Sequence, residues 1–291
     1  MFFKSAKYRK AFLKSLLFVL PGVIITLVFV IYPVINTAWL SLNSWNGIGG
    51  SPIKWVGLQN YIKTLTSVKF WNSMLNALYF VIGGFIILMP IAFGLALLVT
   101  SKLKGTKFFK AAYLMPVMLG TTAVGLMWSF MLNANFGVLA QFLKAIGHSE
   151  WIINWLATPT VLVNEWMYAG YNMLIFAAGI VAIPDDVHEA ALLDGCTGIK
   201  KVIYITAPLC KNMFMVFSVL CITGCLKAFD IVWAMTNGGP MDSSATPAVL
   251  LYTQGFQYKL MGRSGSISII LLVLGLILSL LLNNVIFKER D

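Results

Sequence analysis

Residues 80–100 read FVIGGFIILMPIAFGLALLVT, 21 positions without one charged side chain. Charge-free sequence in fact runs from Lys69 to Lys102. A helix needs roughly 20 apolar residues to cross a hydrocarbon core, and backbone groups without water must bond within their own segment. The stretch therefore reads as a membrane-spanning helix. Its Gly83, Gly84, Pro90 and Gly94 do not oppose this. Bundled membrane helices tolerate such residues, and small ones let neighbours approach.

The same reading extends along the chain. Charges are absent between Lys14 and Lys54, Lys110 and Lys144, Glu165 and Asp185, Lys211 and Lys227, and Arg263 and Lys288. Six spans are predicted, near 16–38, 72–100, 109–132, 162–183, 211–234 and 265–287. The fold class is thus all-α and integral to a membrane, with residues 1–291 as one transmembrane domain. Composition agrees: 59% of residues are hydrophobic and 11% charged, against about 25% charged in a soluble domain. Mean hydropathy is +0.85. The first span has a basic flank but too long an apolar stretch for a cleaved signal peptide, so an uncleaved anchor is expected.

Lys and Arg set the orientation. With the N-terminus inside, fourteen of the 21 basic residues fall on the inner side (Lys4 to Lys14, Lys102 to Lys110, Lys200, Lys201, Lys211, Lys288, Arg290). Six fall outside (Lys54, Lys63, Lys69, Lys144, Lys259, Arg263), and Lys227 lies in a span. Both termini are expected on the cytoplasmic side of the membrane. The net charge of +11 then records orientation and contact with anionic lipid. No basic face interleaved with stacking aromatics is present, so nucleic acid is not an expected partner. Cys221 and Cys225 share a helix face, but His148 and His188 are remote from them in this topology, so packing is expected and no metal site.

Between spans four and five, residues 185–195 read DDVHEAALLDG and hold four of the chain's ten acids. Pro184-Asp185-Asp186 signals a helix start, with an Asp capping the first amides. Val187, Ala190, Ala191 and Asp194 share one small face at helical spacing. Gly195 and Gly198 allow a turn, and a second short helix over 199–206 should stop before Pro208. A solvated connector accounts for the cap and the acids but not for the Ala-Ala face.

These residues also carry a resemblance. Glu189-Ala190-Ala191, Gly195 after three residues, Ile205 after nine more and then Ala207-Pro208 resemble the EAA signature of ABC importer permeases, EAA-x3-G-x9-I-x-L-P. Ala207 replaces the usual Leu, and Cys196 stands where Ala is common. Trp55-Val-Gly-Leu-Gln-Asn60-Tyr61, Phe70-Trp71 and Asn76 resemble the first outer loop of sugar-type members. Tyr113, Pro116, Trp128 and Phe136-Gly137 are similar to the third span and its exit. Phe229-Asp230, Thr236-Asn-Gly-Gly-Pro240, Thr246, Tyr252 and Phe256 resemble the last outer loop of the maltose and glycerol-3-phosphate type.

The resemblance implies a type I importer permease fold with a cytoplasmic coupling helix. It implies four partners besides lipid: a second homologous permease, two ABC ATPases and an extracellular solute-binding protein. The chain has no G-x-x-x-x-G-K-[ST], so it is expected to bind no cofactor and perform no catalysis, with ATP and Mg held by the ATPases. Asp185, Glu189, Ala190, Ala191, Asp194 and Gly195 are expected to couple to the ATPase. Asp185 and Glu189 would make polar contacts, the alanines would seat the helix, and Gly195 would set its angle.

A substrate path is expected from spans four and five: Trp166, Tyr171, Asn172, Cys221, Gly224, Cys225, Ala228 and Asp230. Polar groups inside spans usually face a cavity, and Cys221, Cys225 and Ala228 at i, i+4, i+7 leave room for a sugar ring. Tyr171 and Trp166 would stack on it and Asn172 bond its hydroxyls. Two bland readings compete: Lys227 and Asp230 pair with each other, and the aromatics belong to the interfacial belt. The expected function is to form half the translocation pathway for a sugar or oligosaccharide. A polyol or glycerol-phosphate permease is the alternative, and an ion-coupled carrier a remote one, since paired inverted repeats are not seen. A membrane-embedded enzyme would need a constellation of carboxylates, His or Cys within the bilayer, and none is found.

Overall fold

The computed structural model describes residues 18–101, 103–146 and 158–286. The basic cluster from Lys4 to Lys14, together with Lys102, His148, Lys288 and Arg290, lies outside the described residues. Three helices are each long and apolar enough to cross a membrane: α1 (Phe18–Ser41), α3 (Val68–Thr100) and, at the C-terminal end, a helix whose apolar part is Met261–Leu282. Three bent pairs complete the six spans, and their bends range from 69° to 91°.

Between α1 and α3 lie a short antiparallel pair, β1 (Asn43–Ser44) and β2 (Lys54–Trp55), in the register Asn43 to Trp55, and then α2 (Gln59–Leu65). After α3 come α4 (Thr106–Met118), α5 (Thr121–Met131), α6 (Val138–Ala145) and α7 (Thr158–Val181). α8 (Asp185–Leu193) and α9 (Gly198–Leu209) precede α10 (Lys211–Leu226) and α11 (Asp230–Thr236). α12 (Pro247–Tyr252) and α13 (Met261–Ile286) complete the chain.

Two expected straight spans are broken. Residues 109–132 form α4 and α5, which meet at 91°. Leu119 and Gly120 are extended there, with ψ of 144° and 134°. Span five ends at Leu226 instead of running to residue 234. Hydropathy does not register the first break, because an uncharged run looks the same whether its backbone is helical or not; the second coincides with Lys227 and Asp230.

Three prolines do not break their helices. A π-helical turn precedes each: Leu27–Ile31 before Pro33, Gly84–Leu88 before Pro90, and Val202–Thr206 before Pro208. A proline ring clashes with the carbonyl four residues back, and it has no N–H to give. Those carbonyls belong to Phe29, Ile86 and Tyr204, all inside the π turns. Widening the turn removes the clash and the missing bond together. This corrects the expectation that the second loop helix stops before Pro208; α9 continues to Leu209.

The chain packs as two compact units. One comprises residues 1–65 and 253–270. Its centre is polar. Buried Asn60 donates to the carbonyls of Ser41 (2.8 Å) and Asn43 (2.9 Å), and Thr64 shares a hydrogen bond with Ser266 (2.9 Å). Gly262 lies so close that an added Cβ would stand 1.8 Å from the Asn43 carbonyl oxygen.

The other unit comprises residues 66–252 and 271–291. One core joins Leu88, Ala92 and Ala96 of α3 to Met173, Phe176, Ala177 and Ile180 of α7 and Phe217 of α10. Phe176 sits at its centre, with Phe93, Phe214 and Phe217 rings 5.5, 4.8 and 5.7 Å away. A second core joins Phe80, Val124, Val163, Met167, Ile231, Val232 and Val249. Glycine sets the closest crossing: a Cβ on Gly170 of α7 would fall 1.9 Å from the Tyr113 carbonyl oxygen of α4.

Candidate functional site: a membrane cavity and a cytoplasmic loop

α10 ends at Leu226, although Lys227 and Ala228 after it are good helix formers. The amides of Lys227 and Ala228 turn back to the carbonyls of Gly224 (3.0 Å) and Cys225 (3.3 Å), and Phe229 leaves the helical region at φ −120°. α11 restarts at Asp230. The break frees backbone groups, and the loop after α11 supplies a partner: buried Thr246 donates its hydroxyl to the Ala228 carbonyl. The Thr236–Pro240 loop is itself held from several sides. Asn237 caps α11 in the left-handed region, Thr236 and Ser244 share a hydrogen bond of 2.7 Å, Asn76 reaches the Ala245 carbonyl at 3.0 Å, and Lys69 pairs with Asp242 at 2.5 Å.

Beside the break lies a cavity of about 350 Å³. α7 gives it Asn164, Glu165, Tyr168, Tyr171 and Asn172. α10 gives Phe217, Leu220, Cys221, Gly224 and Cys225. The break and the start of α11 add Lys227, Ala228, Phe229, Asp230 and Ile231, while Leu88 and Thr121 close it from α3 and α5. Gly224 has no atom within 4 Å of where a Cβ would be, so its missing side chain is part of the open space. Cys221 packs its thiol over Gly84. Asn172 spends one amide hydrogen on the Tyr168 carbonyl (3.0 Å) and has its remaining N–H and oxygen for other partners.

Seven of the eight expected path residues line this cavity: Tyr171, Asn172, Cys221, Gly224, Cys225, Ala228 and Asp230. Trp166 does not. It sits edge-on to Trp128, with ring centroids 5.6 Å apart, because it lies on another face of α7. Lys227 and Asp230 form no ion pair with each other among the described residues. Asn164, Tyr168, Phe217 and Leu220 were missed, although helical period points to them. They stand three, four or seven positions from Asn172, Tyr171, Cys221 or Gly224 on the same stripes.

The loop between α7 and α10 forms two helices at an angle to the spans, with bends of 74° from α7 into α8 and 69° from α9 into α10. Pro184, not an Asp, holds the N-cap position, and no side chain caps the helix there. Asp185 and Asp186 lie inside the first turn, where they favour the positive end of the dipole without reaching the orphan amides. At the far end Cys196 N–H bonds the Ala191 carbonyl (2.8 Å) and Gly195 N–H the Leu192 carbonyl (3.1 Å). This is a Schellman closure, and Gly195 has the required left-handed φ of +69°. Asp185, Glu189, Ala190, Asp194 and Gly195 are exposed. Ala191 is turned inward, 3% exposed, and Val187 packs against the core. The outward apolar positions are Leu192 and Leu193, the latter 90% exposed.

Residues 111–290 match the profile of the binding-protein-dependent transport system inner membrane components. The chain belongs to that family. It is a multi-pass membrane permease subunit of a transport system. It is 34% identical to the trehalose/maltose transport system permease protein MalF of Thermococcus litoralis, over 92% of this chain and 91% of that one. Its fold is that of a solved bacterial ABC transporter involved in import of the acidic polysaccharide alginate (TM-score 0.81, 21% identity, 98% of both chains). A second structure, with alginate pentasaccharide-bound periplasmic protein, matches at TM-score 0.79 and 20% identity, over 95% and 94%.

Proposed function

We propose that this permease forms half of the translocation pathway for a sugar or oligosaccharide in an ATP-driven importer. An extracellular binding protein delivers the substrate, as the family description implies and as the periplasmic protein in the alginate transporter complex suggests by analogy. The observation that carries the reading is the cavity at the break between α10 and α11. Discontinuous helices leave backbone polar groups where a polar solute can use them. Aromatic Tyr168, Tyr171 and Phe229 offer faces to a ring, and Asn164 and Asn172 offer hydrogen bonds to hydroxyls. The sugar named for the Thermococcus relative supports carbohydrate over the polyol and glycerol-phosphate alternatives.

Two ATPases and a second permease complete this reading. The chain lacks a phosphate-cradling loop, so ATP and Mg belong to the ATPases and no cofactor to this chain. Exposed Asp185, Glu189, Ala190, Leu192 and Leu193 form the surface that meets them. α1 has no buried residue across its apolar window, which suits a helix meeting lipid and a second permease. Both termini then face the cytoplasm, as the coupling loop must to meet the ATPases.

The test is Gly224→Val in the assembled importer. The new side chain fills open cavity space without displacing a neighbour. Uptake should fall at least about tenfold with insertion and binding-protein affinity unchanged. Unchanged uptake overturns the reading.

A further inference from the structure

Glu165 has no role in the path as derived so far. It is 3% exposed, on α7, and lines the cavity. Its Oε1 accepts a hydrogen bond from Asn164 (3.3 Å), and its Oε2 is buried with no partner. A buried polar atom without a partner is costly, and native folds keep few of them. The two other ionisable side chains of opposite sign in the lining, Lys227 and Asp230, are exposed. Their opposite charges offset each other. Glu165 is therefore the one buried acid among the lining residues.

We propose that Glu165 is a specificity-determining residue that makes this cavity select uncharged sugars and reject uronates and sugar phosphates. The proposal rests on the cavity being the substrate site. A hydroxyl donates to the unmatched carboxylate oxygen and removes its desolvation cost. A carboxylate or phosphate in the same space cannot donate, and it adds a second negative charge in a medium of low dielectric. Discrimination then comes from a repulsive element as much as from an attractive one.

Cys221 and Cys225 line the same cavity and serve as built-in reporters. The full chain, with Cys196 and Cys210 changed to Ser, is labelled in open membrane vesicles. The probes are two methanethiosulfonates of similar size, one carrying trimethylammonium and one carrying sulfonate. The ratio of their rates reads the local potential, and because it is taken on one protein, a poorly expressed variant still yields it. Glu165→Gln and Glu165→Ala should each lower the cation-to-anion ratio about tenfold, equivalent to about 1.4 kcal/mol. Asp230→Asn should change it far less. Maltose should protect the thiols, and digalacturonate should not until Glu165 is replaced.

A ratio unmoved by Glu165→Gln overturns the proposal, as does equal protection of the wild type by both sugars. Thiols that neither sugar protects, with the ratio still dependent on Glu165, count against the cavity as the substrate site. That outcome keeps the charge assignment but removes the selectivity drawn from it.

Discussion

Asn60 shows what one side chain can hold together. Its amide spans the carbonyls of Ser41 and Asn43, joining the end of α1 to the first strand from α2. Asn60→Ala strands both carbonyls in a buried place. A loss of about 2 kcal/mol is expected, seen as a lower thermal midpoint of the detergent-purified chain. Gly195 and Gly170 make a useful contrast. Gly195 has nothing within 4 Å of a Cβ, and its requirement is the left-handed φ alone. Gly195→Ala should cost about 1 kcal/mol and leave a folded chain. Gly170→Ala should yield no stable chain, because backbone of α4 occupies the space. Size-exclusion profiles of the two variants distinguish these outcomes. The sequence marked Gly195 through its place in the loop pattern. It could not mark Gly170, whose constraint comes from a helix some 57 positions away.

At the scale of elements, the same contrast separates what was legible from what was not. Apolar length announced α1, α3 and α13, and helical period placed Cys221, Cys225 and Ala228 on one stripe. The break at Leu119–Gly120 was hidden, since charge-free sequence carries no mark of where a backbone turns, and the one after Leu226 was passed over because Lys227 and Asp230 were read as lying within a helical span. Trp166 was misplaced for a related reason: a polar-edged aromatic near a cavity stripe is not on that stripe unless its register matches. The break after α10 also gives Thr246 its work. Thr246→Val keeps the shape, removes the hydroxyl and leaves the Ala228 carbonyl unsatisfied. The cavity rim should loosen, so the apparent KM for uptake rises several-fold while binding-protein affinity stays constant.

At the scale of the whole permease unit, the proposed function makes the cavity and the α8–α9 loop two parts of one lever. α7 lines the cavity with Asn164 to Asn172 and then bends into α8. α9 bends into α10, which lines the cavity again from Phe217 onward. Asn172 and Asp185 are 13 residues apart, roughly 20 Å at 1.5 Å per residue. Between these ends Phe176, Phe214 and Phe217 lock α7 to α10. A packed core transmits displacement better than it absorbs it, so a push on α8 and α9 tilts both cavity walls. The push needs a foothold, and the outward positions for one are Leu192 and Leu193 beside Glu189. Replacing both leucines with Ser removes that apolar contact and touches no buried residue. Insertion into the membrane and thermal stability should be unchanged, whereas co-purification with the ATPase should drop at least about tenfold, the loss expected from truncating a contact centre. Gly224→Val should do the reverse, leaving co-purification intact and stopping uptake. If the two lesions gave one phenotype, the cavity and the loop would not be separate ends of one device.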